Sequence, residues 1–268
     1  MKKLTFLLSL FTASVFFTAC ISSTTAAGAV GADRTQLLLV SEAEMEENAN
    51  ISYAEVLKEA KASKTLNTDK NVTQRVQNIA DRLIAQTGVF REDAADWDWQ
   101  VNVISDPTVN AWCMPGGKIV VYTGIIDSLQ LTDGELAAVM GHEIAHALKE
   151  HSREQASQTS LKNAGLSVLS DVTGMGEKES TAMALLAQYG FTLPFSRSHE
   201  TEADHIGTEL MARAGFDPYE AVNVWKKMSA VSSGEIPEIL STHPSHSSRI
   251  KDLTNIAEKV YYLYEEAK

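Results

Sequence analysis

Apolar positions recur at helical spacing along most of this chain and at strand spacing in two short stretches. Val72, Val76, Ile79, Leu83 and Ile84 fall on one face, which predicts a helix over 70–87. Trp97, Trp99, Val101 and Val103 alternate with Asp98, Gln100 and Asn102, the pattern of a half-buried strand over 97–104. Pro115-Gly116-Gly117 reads as a turn, and Lys118–Thr123 as a second strand after it. Thr132 and Glu135 have capping-box spacing and open a helix from 133 to about 151. Helical segments are also expected over 41–62, 153–170, 180–192, 197–213, 218–228 and 246–265, with Gly174, Gly176, Gly215, Pro237 and Pro244 as breaks. No internal repeat is present. The pattern describes one α+β domain, mostly helical, with a small sheet.

The N-terminal region follows different rules. Lys2 and Lys3 precede an apolar stretch to Phe17 that is too short for a full membrane span of about 20 residues. Thr18-Ala19-Cys20 follows, so residues 1–19 read as a lipoprotein signal peptide, with Cys20 as the lipidation site. Residues 20–40 read as a flexible tether, because 21–33 are small, polar and without period. This leaves 41–268 as the folded domain. Ala19-Cys20 resembles a bacterial lipobox, and by that resemblance, with Ile21 after the cysteine, the expected location is the bacterial periplasm, anchored to the outer membrane through Cys20 alone.

Charge narrows the partners. The chain has 268 residues, with 23 Lys+Arg against 35 Asp+Glu, a formal net charge of -12. An acidic chain without a basic block is a poor match for nucleic acid. Two cysteines, Cys20 and Cys113, exclude a disulfide scaffold, and lipidation of one leaves none to pair with the other.

The chemistry concentrates in His142-Glu143-Ile144-Ala145-His146. Histidines at i and i+4 project from the same helix face and can hold one zinc ion. Glu143 is then placed to take a proton from a metal-bound water. Leu136, Val139, Met140, Ile144 and Ala145 make this helix apolar and therefore buried. A third ligand is required. Lys149 and Ser152 stand where an extended histidine motif would need Gly and His, so the ligand must come from elsewhere. Glu200-Thr201-Glu202-Ala203-Asp204 supplies carboxylates. Glu200 and Asp204 share a face, whereas Glu202 points about 200° away. Glu200 can bind the metal while Asp204 accepts from a ligand imidazole. Glu202 is the rival ligand, but it lacks such a partner.

These segments together resemble the M48 family of zinc metallopeptidases. His142–His146, Ser196–Asp204, Asn110-Ala111, Pro115–Gly117 through Tyr122–Gly124, and Thr242-His243-Pro244 with Arg249 carry the resemblance across about residues 70–255. The layout is most like small periplasmic lipoprotein members. The resemblance implies a gluzincin fold with one Zn2+ per chain on His142, His146 and Glu200, and Glu143 as general base. It implies polypeptide substrates, among them unfolded outer-membrane or periplasmic proteins. It also implies that Asn110–Thr123 is an edge strand beside the metal. His243 has three open readings: a fourth ligand that holds the enzyme latent, an oxyanion donor, or a loop residue. Arg249 is a second candidate donor. His151, His199 and His205 are expected to lie outside the site, and Cys113 to have no catalytic duty. The competing function is a chaperone-like or scaffolding protein with little proteolysis.

Overall fold

The computed structural model describes residues 21–173, 194–231, 238–243 and 248–268. Cys20 with the expected signal peptide, the expected helix over 180–192, and Gly174, Gly176, Pro237, Pro244 and His246 lie outside the described residues. The chain is mostly helical with small sheets. The elements are β1 (Ile21–Ser22), β2 (Gln36–Leu37), α1 (Glu42–Ala62), α2 (Lys70–Ile84), β3 (Gln100–Ile104), β4 (Ala111–Met114), β5 (Lys118–Tyr122) and α3 (Thr123–Leu129). They continue as α4 (Asp133–Leu148), α5 (His151–Thr173), α6 (Arg197–Arg213), α7 (Tyr219–Val231), α8 (Glu238–Thr242) and α9 (Arg249–Ala267). Among the described residues, no helix is long and apolar enough to cross a membrane.

The helix α4 is the centre of the molecule. The Thr132 hydroxyl accepts from the Glu135 amide, and the Glu135 carboxylate accepts from the Thr132 amide, so the capping box forms. Leu136, Met140, Ile144 and Leu148 are fully buried. Each such side chain contributes about 1.5–3 kcal/mol by leaving water. α4 packs on α6, α7, α2 and β4. The three-stranded sheet has the order β3-β5-β4, with β3 parallel and β4 antiparallel to β5. β4 is therefore one of the sheet's two edge strands, and it runs alongside α4.

The contact between α4 and α6 depends on two glycines. A Cβ on Gly207 would sit 2.7 Å from the backbone nitrogen of His142, and one on Gly141 would sit 3.0 Å from the Gly207 carbonyl oxygen. The two helices therefore meet backbone to backbone, which brings the acidic face of one against the histidine face of the other. Gly207→Ala gains about 1 kcal/mol of helix propensity. It also forces a contact that only backbone movement can relieve, at about 1–3 kcal/mol. The overpacking prevails, so the melting temperature should fall by about 2–8 °C. Affinity at the expected metal site should fall with it, because the contact is to the backbone of His142. Calorimetry and chelator competition on the variant check both.

Residues 21–40 correct the expectation of a flexible tether. β1 pairs with β2, Val30 and Ala32 are buried, and the Val30 amide donates to Glu209 Oε2 at 3.0 Å. The Lys149 ammonium donates to the carbonyls of Ala32 (3.1 Å) and Arg34 (2.8 Å). Small residues show no period of their own, and the groups that hold this arm lie more than 60 positions away.

Candidate metal centre and active site

Helix geometry assembles the cluster. His142 and His146 leave the same face of α4, Glu200 and Asp204 the same face of α6, and His243 enters from the end of α8. His142 Nε2 lies 3.1 Å from His146 Nε2, 3.5 Å from Glu200 Oε2 and 3.2 Å from His243 Nδ1. His243 Nδ1 is 3.0 Å from Glu200 Oε1. One ligand atom from each of His142, His146, Glu200 and His243 lies within 4.8 Å of all the others, and all four residues are buried.

Hydrogen bonding decides what these atoms can do. Asp204 Oδ1 lies 3.0 Å from His142 Nδ1 and, as a carboxylate, can only accept. The proton of a neutral His142 is therefore on Nδ1, and Nε2 faces the cluster as a lone pair. Bare nitrogens packed against a carboxylate repel each other unless a cation sits between them. The electrostatics agree. Burial pulls His142 down, but hydrogen bonds to Asp204 and Glu200 outweigh it and raise its pKa to about 9. Burial pushes Glu200 up, yet His243, His142 and His146 hold its carboxyl well below the usual range. The pocket thus favours one positive charge. Two imidazoles and a carboxylate are the donor set of a zinc site.

Glu143 faces the same space from the cleft side. Its Oε1 is buried with no hydrogen-bond partner among the described residues, 3.5 Å from His243 Nε2. Burial pushes its carboxyl pKa up, against the pull of His243 and His142. A cleft of about 410 Å³ leads here between α1 and β4, lined in part by Met45, Val56, Trp112 and Phe195. Cys113 also lines it; burial and the neighbouring Glu143 push its thiol pKa up, which does not favour a thiolate.

Arg249 does not face this cleft, which corrects its candidacy as an oxyanion donor or fourth ligand. It is 1% exposed. Its Nε and Nη2 donate to Asp204 Oδ2 and Oδ1, both at 2.7 Å, and Nη1 donates to Glu200 Oε2 at 2.8 Å. The guanidinium also stacks over Trp225, 3.3 Å from the ring centroid. Every donor is turned inward, so Arg249 braces α6 instead of reaching substrate.

His151 and His199 are also corrected. A helix running unbroken to 151 would turn His151 away from the ligand face. Instead α4 stops at Leu148, Glu150 adopts φ +51°, and α5 starts at His151. The kink returns the imidazole to the cluster: His151 Nδ1 lies 2.9 Å from His146 Nδ1, and the side chain is fully buried. His199 stacks on it at 4.4 Å. Phe195 stacks on His146 at 4.1 Å, a neighbour that no motif announced. His205 pairs with Asp252 and is not in the cluster. Glu202 is not among the four converging ligand groups; it bonds His151 and Arg34.

The model of peptidase family M48 matches residues 70–257. A mitochondrial metalloendopeptidase OMA1 from Schizosaccharomyces pombe is 36% identical over 207 residues, covering 76% of this chain and 58% of its own length. An Arabidopsis thaliana protein of the same name is 39% identical over 175 residues, covering 63% of this chain and 34% of its own length. The beta-barrel assembly-enhancing protease of Yersinia pestis is 29% identical over 216 residues, 76% of this chain and 43% of its own. This chain thus spans about a third to three fifths of the length of these relatives. The higher identities belong to proteins named as mitochondrial, which overturns the expected bacterial periplasmic, outer-membrane-anchored location. The family match encloses α4, α6, His243 and Arg249, and this chain belongs to peptidase family M48.

Proposed function

We propose that this chain is a zinc metalloendopeptidase acting on extended, unfolded polypeptide segments, with residues 41–268 as its catalytic domain. The main support is the convergence of His142, His146 and Glu200 beside an unpartnered Glu143 Oε1 at the end of a cleft. Zinc held by these three residues would polarise the scissile carbonyl and lower the pKa of a water toward ~7. Glu143 takes that water's proton and delivers it to the amide nitrogen as the C–N bond breaks. Asp204 keeps His142 Nδ1 protonated, which directs the Nε2 lone pair to the metal position. The edge strand β4 offers its backbone to an extended peptide, which can pair with it as an added strand. A folded domain cannot enter such a cleft, so unfolded or loop segments are the substrate class.

His243 is read as a latency device. Its Nδ1 lies with the three ligand groups, and the residue is buried. A fourth protein ligand closes the position that the water needs. Apparent activity then falls to the fraction of molecules in which His243 has moved away.

The test uses the full chain at one zinc per chain, with unfolded casein as substrate. Cleavage should stop with a chelator and return with added zinc. His243→Ala should cleave several-fold faster than the wild type at equal zinc occupancy. A fall of ~10²–10³ would instead make His243 an oxyanion donor. Retention of casein without cleavage by both proteins at full occupancy would overturn the peptidase reading and leave a binding protein.

A further inference from the structure

His142 has Asp204 to fix its tautomer, but His146, the other ligand on α4, has no carboxylate on its outer nitrogen. It has a second imidazole. His146 Nδ1 lies 2.9 Å from His151 Nδ1, and His151 Nε2 lies 3.2 Å from Glu202 Oε2. Glu202 is in turn gripped by a two-pronged contact from Arg34, Nε to Oε1 and Nη2 to Oε2, both at 2.8 Å.

With both imidazoles neutral, the protons along this chain have one consistent arrangement. The Arg34 fork keeps Glu202 ionised, so Glu202 only accepts. His151 Nε2 must therefore carry a proton. A neutral imidazole carries one proton, so His151 Nδ1 is a bare acceptor. The short contact to His146 is then a hydrogen bond only if His146 Nδ1 donates. That leaves His146 Nε2 unprotonated and aimed at the cluster. The reverse arrangement would press the bare Nε2 of His151 against a carboxylate oxygen at 3.2 Å. The packing fixes the rings as well: His151 lies flat on His199, with planes 16° apart, and His146 lies flat on Phe195.

We propose that His151 and Glu202 are positioning residues for the metal centre: Glu202 orients His151, and His151 holds His146 as the Nδ1–H tautomer with Nε2 free for zinc. Arg34 extends the relay into the N-terminal arm, so packing of residues 21–40 supports zinc binding from outside the catalytic helices. The relay rests on the zinc reading above and deepens it. It assigns a use to Glu202, the carboxylate that points away from the metal, and to a histidine that the helical spacing would have turned outward.

Two measurements on the full chain test it. The first is zinc affinity by competition with a chromophoric chelator. His151→Phe keeps a flat ring against His199 and removes both nitrogens, and its zinc affinity should fall ~10–100-fold. His151→Asn restores an acceptor near the Nδ1 position and should recover most of that loss, which a purely structural role would not give. The second is nitrogen-15 NMR of the zinc-loaded wild type labelled in histidine. Protons are expected on His146 Nδ1 and His151 Nε2, with a coupling across the hydrogen bond between the two Nδ1 atoms. This spectrum needs no variant, so a poorly folded substitution does not leave the question open. A proton on His151 Nδ1, or equal zinc affinity in His151→Phe and wild type, overturns the relay alone. A wild type that binds no zinc overturns the parent reading instead.

Discussion

Glu143→Gln should bind zinc as tightly as the wild type and cleave unfolded casein ~10³-fold more slowly. The carboxylate is not one of the converging ligand groups, so the substitution removes no metal bond. Glutamine has the same shape, and the buried Oε1 it replaces has no hydrogen-bond partner to lose. The melting temperature should therefore stay within about 2 °C of the wild type. The amide cannot accept the water's proton, and a general base typically contributes 10²–10⁴-fold. The His243→Ala background is the better place to measure the loss, because its resting site is open. Zinc content, thermal melting and casein turnover on the same preparation separate the possibilities. Turnover within a few-fold of the parent at equal zinc would remove Glu143 from the proton-transfer role. Loss of zinc would mean that Glu143 is a ligand.

Arg249→Met should lower the melting temperature by about 10 °C. Arg249 is buried among two carboxylates, with three short hydrogen bonds to Asp204 and Glu200. Removing one partner of a buried ion pair leaves an uncompensated charge, at about 3–5 kcal/mol. For a chain of this size each kcal/mol corresponds to about 2–4 °C. The stack on Trp225 is apolar on one side, and methionine refills part of that volume, so packing loss is secondary. Arg249→Lys should fall between the two, because a single ammonium cannot reproduce the fork that grips both oxygens of Asp204. Zinc affinity should fall in both variants, since Asp204 orients His142 and Glu200 is in the donor cluster. A melting temperature within about 2 °C of the wild type for Arg249→Met would show that the carboxylates find other partners, and that Arg249 is not the brace of α6.

The same residues show what the sequence determined and where it stopped. The α4 helix was legible, because its cap is local and its apolar face repeats at 3.6 residues. The pairing of His142 with His146 follows from that periodicity alone. The i, i+4 relation of Glu200 and Asp204, and the turning away of Glu202, follow in the same way. The family resemblance added that these two helices meet. None of this required tertiary information, because helix geometry converts spacing directly into direction.

Direction fails as a guide where the helix ends. The left-handed Glu150 breaks α4 before His151, and one positive φ turns an outward imidazole into the neighbour of a ligand. The sequence carries no strong signal for it, since glutamate is an uncommon residue in that conformation. Arg249 failed for a different reason. Its spacing from His243 resembled a family segment, but only the fold shows that each of its three guanidinium nitrogens donates to Asp204 or Glu200. The arm over 21–40 failed because its hold on the domain comes from Lys149, Glu209 and Phe90, each far away in sequence. Local periodicity is written in neighbouring residues. Hydrogen bonds between segments separated by about 45 to 180 residues are written only in their common packing, and there the tertiary structure decided which polar groups converge on the cluster and which brace it.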